Sequence, residues 1–356
     1  MKSRSLLLYL LIVVLLTSCG PSIQSKPKEL SQPNQKSHMN VMGTKRIVMG
    51  WNAFGNTDTF IKQNSNSPNL NVVSPRWFTL ANKDRMLSGT VDPRYVEWAH
   101  KAGKQVWPLF GNKFDTALTN SVLSDIEKRE SLVETIRQTL VQYKIDGINV
   151  DFQNMDIKNR KHFVYFIREL EKALDRHDIV VSVDVTRHNP DPFWSGSYDR
   201  RNLGKAADYI VLMAYEEYYR SGGKAGPVAS IPWVKEGITL LMKEVPAKKI
   251  ILAVPFFTRE WVTNLDNKSM TNYDRTMEAV EIQIAQKGLS KKWDKKAEQR
   301  FVDYVENGAR HQIWIEDEKS MEKRLNLVKK YKLAGISAWA IGQESPNLRA
   351  EFKRFR

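Results

Sequence analysis

One cysteine, Cys19, is all that 356 residues carry, so no intrachain disulfide can brace the fold. That cysteine and six histidines offer no zinc-ligand spacing. The longest apolar run, residues 6–16, falls short of the roughly 20 residues that a membrane-spanning helix needs. Acid is also scarce: 55 Lys and Arg stand against 40 Asp and Glu, a net charge of +15. Residues 1–44 hold +4 of this and the rest of the chain +11. The surplus favours anionic partners such as cell-wall polymers or membrane surfaces. With neither zinc-ligand spacing nor an RNA-binding signature, nucleic acid is not expected. Tryptophan, by contrast, is plentiful at ten copies. That is more than a core needs, and exposed aromatic platforms suit carbohydrate.

The place of Cys19 explains its presence. Lys2 and Arg4 form a basic start, residues 6–16 an apolar stretch, and Leu16-Thr17-Ser18 lead into the cysteine. This is the layout of an export signal. Leu16-Thr17-Ser18-Cys19 resembles the bacterial lipoprotein box, which implies a signal peptide over 1–19 and lipidation of Cys19. A diacylated cysteine would anchor the chain stably to the outer face of a cell membrane. Residues 20–44, with Pro21, Pro27 and Pro33 among Ser, Gln and Lys, read as a flexible tether. The folded part is then 45–356.

From there strand-like runs recur at 46–54, 70–80, 105–111, 146–155, 179–185, 209–215, 249–257 and 335–342. Helical spacing fills gaps between them, at 91–102, 123–143, 158–175, 233–243 and 317–331. Eight strands alternating with helices, most of them continuously apolar, predict a parallel sheet covered on both faces. The fold class is α/β, a (β/α)8 TIM barrel, with a doubly wound open sheet as the alternative. Between the seventh and eighth runs the pattern breaks over about 258–311. A helix near 276–286 and a hairpin about Asn307-Gly308 predict a small α+β insertion there.

The fourth run is the informative one. In Asp146-Gly147-Ile148-Asn149-Val150-Asp151-Phe152-Gln153, Ile148, Val150 and Phe152 share one face of a strand, and Asn149, Asp151 and Gln153 the other. Three polar groups aimed at a barrel interior are costly unless paired or engaged by a ligand. They form either a structural network or a site. Barrel sites gather at strand C-terminal ends, which here offer Asn112, Asp151, Gln153, Asp184, Tyr215, Glu216, Arg259 and Trp339.

The fourth run resembles the Asp-Gly-x-Asp-x-Asp-x-Glu signature of family 18 glycoside hydrolases, the chitinase-like barrels. Asn149 at the second acidic position matches the branch with spore-cortex peptidoglycan hydrolases. Met213-Ala214-Tyr215, Gly226-Pro227-Val228-Ala229, Pro255-Phe256-Phe257, Trp314-Ile315-Glu316-Asp317 and Trp339 agree in order over roughly 46–345. The resemblance implies a β-1,4-linked N-acetylhexosamine glycan as ligand, and chemistry in which the substrate's own 2-acetamido oxygen is the nucleophile. It makes Asp151 the orienting carboxylate and Tyr215 the partner of the acetamido carbonyl. Trp339 floors the sugar subsite, and Asp146, Asn149, Met213 and Glu216 complete the substrate contacts. The general acid falls on Gln153.

That is a departure from the pattern. An amide has no proton to give near neutral pH, although it can still hydrogen-bond a glycan. A binding protein with hydrolysis lost or strongly reduced is therefore expected. The alternative is an active glycosidase with a relocated acid, Asp156, Glu216 or Glu217, and a scaffold that has lost the sugar is a third reading. With Asn149 and Gln153 as amides, Asp151 reads as the only carboxylate of its column, free of the repulsion that raises a pKa. No metal or organic cofactor is expected, and a monomer is.

Overall fold

The computed structural model describes residues 46–348, apart from 68 and 82–85, together with 352 and 355. The expected signal peptide, Cys19 and the tether lie outside the described residues. Eight parallel strands close on themselves: β1 (Ile47–Asn52), β2 (Val72–Pro75), β3 in two pieces (Gln105–Val106 and Leu109–Gly111), β4 (Gly147–Asp151), β5 (Val180–Thr186), β6 (Tyr209–Met213), β7 (Ile250–Pro255) and β8 (Gly335–Trp339). Each pairs in parallel with the next, and β8 with β1. Pro108, which has no N–H to give, divides β3. Its first piece pairs with β2 and its second with β4, and Trp107 N→Val73 O (3.0 Å) and Asn149 N→Pro108 O (3.0 Å) carry the closure across the break.

Both faces of the strands are buried, which is why the runs are apolar throughout. Outward, Ile148, Val150 and Phe152 pack on the surrounding helices, and Phe152 stacks on Phe163 and Phe166 of the helix Arg160–Asp175 at 5.8 Å each. Inward, Ile47, Met49, Trp51, Trp107, Leu109 and Val211 are among the side chains that fill the barrel. The run at 70–80 is two strands rather than one: Phe78–Leu80 leaves β2 and pairs with Leu87–Ser88 and with Leu109–Gly111. The helices Thr57–Ser65 and Arg200–Ala206 escape the periodicity because they are short and mostly polar.

The insertion is larger than its sequence signals. It runs through a five-stranded antiparallel sheet, ordered Met270–Thr276, Phe257–Asn264, Ala309–Ile315, Gln299–Glu306 and Lys292–Asp294, rather than stopping at 311. The helix Met277–Gln286 covers one face, with Val280 and Ile284 on Val302, Ile313 and Ile315. The hairpin turns at Asn307-Gly308 (φ 47° and 70°), with Glu306 opposite Ala309. The outer strands are too polar to read as strands, having solvent on one side. A wholly buried ion pair fastens the insertion to the barrel. Glu316, just past its last strand, meets Arg324 of the helix Glu318–Lys330 (Nη2–Oε1 2.9 Å), and Arg324 also donates to the carbonyl of Ala229.

Candidate functional site

The polar column of β4 divides by depth. Asn149, at the bottom, is fully buried, and the barrel takes up its amide. Trp51 Nε1 donates to its Oδ1 (2.8 Å), and its Nδ2 donates to Asp184 Oδ1 (2.7 Å) and Ser182 Oγ (3.1 Å). Asn149 thus supports the site floor and is not placed to touch a ligand, contrary to the role expected from its motif position. Asp151, one layer higher, accepts from Gln153 Nε2 at 2.6 Å. Among the described residues no side-chain donor bonds its other oxygen. Gln153 lies beyond the strand end, its amide also 3.6 Å from Met213 Sδ.

Gln153 is held from behind. Asn112, past the end of β3, accepts from Gln153 N (3.1 Å) and donates to Gln153 O (2.8 Å), and its Nδ2 is also bonded to Thr119 Oγ1 (2.9 Å). Asn112→Ala would leave both backbone groups of Gln153 unpaired in a part-buried place, so a loss of about 1–3 kcal/mol is expected in chemical denaturation. An unchanged midpoint would remove Asn112 from this role.

Across the mouth stand aromatic groups. Trp339 ends β8, half-buried, its ring 5.9 Å from Trp51 and edge-on to Phe54 at 6.4 Å. Tyr215, just beyond β6, is half-buried, and among the described residues no protein group bonds its hydroxyl. Burial raises its phenol pKa well above the usual value, and the charges of Asp151 and Asp184 add to the shift. Tyr215 therefore lies near enough to Asp151 and Asp184 to feel both charges.

Three sequence expectations are corrected here. Asp146 precedes β4, at the opposite end of the barrel from the mouth. Its Oδ2 accepts from Val106 N (2.8 Å) and lies 2.8 Å from His100 Nε2, so it fastens strand starts, away from the mouth where a substrate contact was expected. Glu216, in a left-handed conformation (φ 65°), gives both oxygens to Arg259, at 2.8 and 2.9 Å. Arg259 is the buried third residue of the strand Phe257–Asn264, and Asp274 takes its Nε (2.8 Å). Glu216 therefore joins barrel to insertion and is not free to reach a leaving group. The other proposed acids are engaged as well: Glu217 accepts from Ser230 N (2.7 Å), and Asp156 accepts from Lys158 N (2.9 Å).

The third correction concerns charge. Asp151 is not alone: Asp184, on β5, is a second carboxyl beside it. The carboxyl of Asp151 is pushed up to about 6 by burial, which the hydrogen bond from Gln153 only partly offsets. Burial, and then the charge of Asp151, push Asp184 well above the carboxylate range. For Asp151 the sign is definite. The folded chain holds this proton more tightly than an unfolded one, so its contribution is fully present below about pH 4 and is lost as pH rises through about 6. Two pH units correspond to at most about 3 kcal/mol. Asp151→Asn is accordingly expected to raise the thermal midpoint at pH 8 and leave it nearly unchanged at pH 4. An equal change at both pH values would contradict this.

The family model for "Glycosyl hydrolases family 18" matches residues 79–344. The uncharacterized glycosylase YvbX of Bacillus subtilis is 26% identical over 287 residues, 78% of this chain and 82% of that protein. The cortical fragment-lytic enzyme of Bacillus subtilis is 27% identical over 67% of this chain, but the match spans only 56% of that enzyme's length. Among solved structures, the chitinase of Chromobacterium violaceum superposes with a TM-score of 0.78, at 22% identity, over 87% of this chain and 99% of that one. The superposition bears out the barrel fold.

Proposed function

This chain belongs to the glycosyl hydrolases of family 18, and on that premise we propose that it binds a β-1,4-linked N-acetylhexosamine glycan, chitin-like or peptidoglycan, without efficiently cleaving it. The observation that carries the reading is Gln153. By its place in the family motif it stands where the general acid is expected, and its amide donates a hydrogen bond to Asp151. An amide in that place can hold a sugar oxygen but cannot deliver a proton to it.

The rest of the mouth suits the ligand. Asp151 offers a carboxylate oxygen to an acetamido N–H, Tyr215 a free hydroxyl to its carbonyl, and Trp339 a ring face for the pyranose. A relocated acid finds little support, because Glu216, Glu217 and Asp156 each have a structural partner. Calorimetry with N-acetylglucosamine oligomers tests the binding. Trp339→Ala is expected to weaken it about thirtyfold, the ~2 kcal/mol of a central aromatic anchor. Equal affinity in the variant, or no heat of binding in the parent, would remove the glycan reading.

We further propose that the chain works at a membrane surface, tethered through a lipidated Cys19 with 20–44 as spacer. The basic surplus supports this, since it suits an anionic wall or membrane face. Cys19→Ala is expected to move the full chain from the membrane fraction to the soluble fraction of the expressing cell. Retention of the variant in the membrane would overturn the tether.

A further inference from the structure

The neighbours of Asp151 carry one inference beyond the glycan reading. β4 and β5 run parallel with Asn149 opposite Ser182 and Val150 opposite Val183. The next step of that register sets Asp151 beside Asp184, on strands about 4.8 Å apart, and both side chains point into the barrel. Asp184 is only 1% exposed, and among the described residues its one side-chain hydrogen bond comes from the Asn149 amide.

Among the described residues no cation pairs with either carboxyl; Arg200, 5.5 Å over the Tyr198 ring, gives its guanidinium to Ser195 O, Ser195 Oγ and Thr186 O instead. From β3 come Gly111 and Asn112, and from β1 and β8 Trp51 and Trp339, none of which carries a charge. From β6 and its loop come Met213, Tyr215 and Glu216, the last already paired with Arg259. Tyr198 approaches from beyond β5, but its hydroxyl is given to the carbonyl of Phe152 at 2.7 Å. With Asp184 buried and a half-buried Asp151 on the neighbouring strand, charging both carboxyls at once is disfavoured.

We propose that Asp184 is the proton partner of Asp151: the two carboxyls hold one proton between them at neutral pH and present a single negative charge at the floor of the site. Asp184 is then a positioning residue. It acts on a ligand only through Asp151, keeping that oxygen pair at one charge and in one orientation, with Asn149 fixing Asp184 from below. The motif's second carboxyl has in effect moved from β4 to β5. This inference rests on the glycan reading only for its purpose, because the proton sharing is a property of the free protein.

The test is a pH titration of the full chain labelled with 13C at the aspartate carboxyl carbons, run on the parent, Asp151→Asn and Asp184→Asn. Both variants preserve shape and an acceptor oxygen. The parent is expected to show two linked titrations from this pair, both above the ordinary aspartate range. Asp151→Asn should lower the Asp184 titration by about one pH unit or more. Asp184→Asn should abolish the upper titration and leave one. Independent titrations near 4 in the parent, or an Asp184 titration unmoved by Asp151→Asn, would overturn the proposal. Calorimetry with an N-acetylglucosamine tetramer separates the two claims. Linked titrations without binding would leave the proton pair standing and remove the glycan reading.

Discussion

Gln153→Glu is expected to release reducing ends from N-acetylglucosamine oligomers at about 10²–10⁴ times the parent rate, the usual contribution of a general acid. In barrier terms this is about 3–5 kcal/mol. The geometry favours a gain because little else needs to move. Asn112 grips the backbone at 153 through two hydrogen bonds that do not depend on the side chain. The Gln153 amide already points at Asp151 Oδ1, so the O–H of a glutamic acid can make the same bond that Nε2 makes at 2.6 Å. A carboxyl placed beside the negative charge held by Asp151 and Asp184 would also be kept protonated, as an acid working near neutral pH requires. Binding should persist in the variant. Unchanged turnover together with unchanged affinity would mean that the missing acid is not what silences the site.

Arg324→Met should destabilise the fold by about 3–5 kcal/mol, the cost of leaving one member of a buried ion pair uncompensated. Glu316 would keep only Gln299 Nε2 (3.0 Å) and Ser320 Oγ (3.0 Å) as side-chain donors. It lies where the insertion's last strand returns to the barrel, so the loss would loosen that junction first. The double variant Arg324→Met with Glu316→Gln should recover part of the stability, because it removes the stranded charge as well. Denaturant midpoints for the two single variants and the double variant measure this directly. A loss below about 1 kcal/mol in Arg324→Met would show that water reaches the pair and that it does not fasten the insertion.

How much of this was legible in the sequence depended on whether a feature is local. The alternation of Ile148, Val150 and Phe152 with Asn149, Asp151 and Gln153 is a property of one strand, and it foretold which side chains point inward. The turn at Asn307-Gly308 is likewise set by two residues. Pairings across strands were out of reach. That Asp184 stands beside Asp151 follows from the register of β4 against β5, which no single run encodes. That Arg259 closes on Glu216, 43 residues away, follows from how the insertion's first strand leaves β7. Asp146 misled for a related reason: it is adjacent to the motif in sequence, yet it begins the strand whose end forms the site. Asn149 shows the limit of motif position, since its depth in the barrel gives its amide to Trp51, Ser182 and Asp184 instead of to a ligand.

The role of the insertion is physical rather than chemical in this account. Arg259 draws the Glu216 loop against it, and Trp261 Nε1 donates to the carbonyl of Gly226 (2.8 Å) on the same loop. Both contacts hold the segment that follows Tyr215, so the insertion fixes one wall of the mouth without supplying a reacting group.

The most direct test of the central claim is to saturate the unmodified protein with an N-acetylglucosamine hexamer and follow the complex by mass spectrometry over many hours. The expected result is a bound hexamer that remains intact. Steady appearance of shorter oligomers, in proportion to protein and free of contaminating activity, would contradict it.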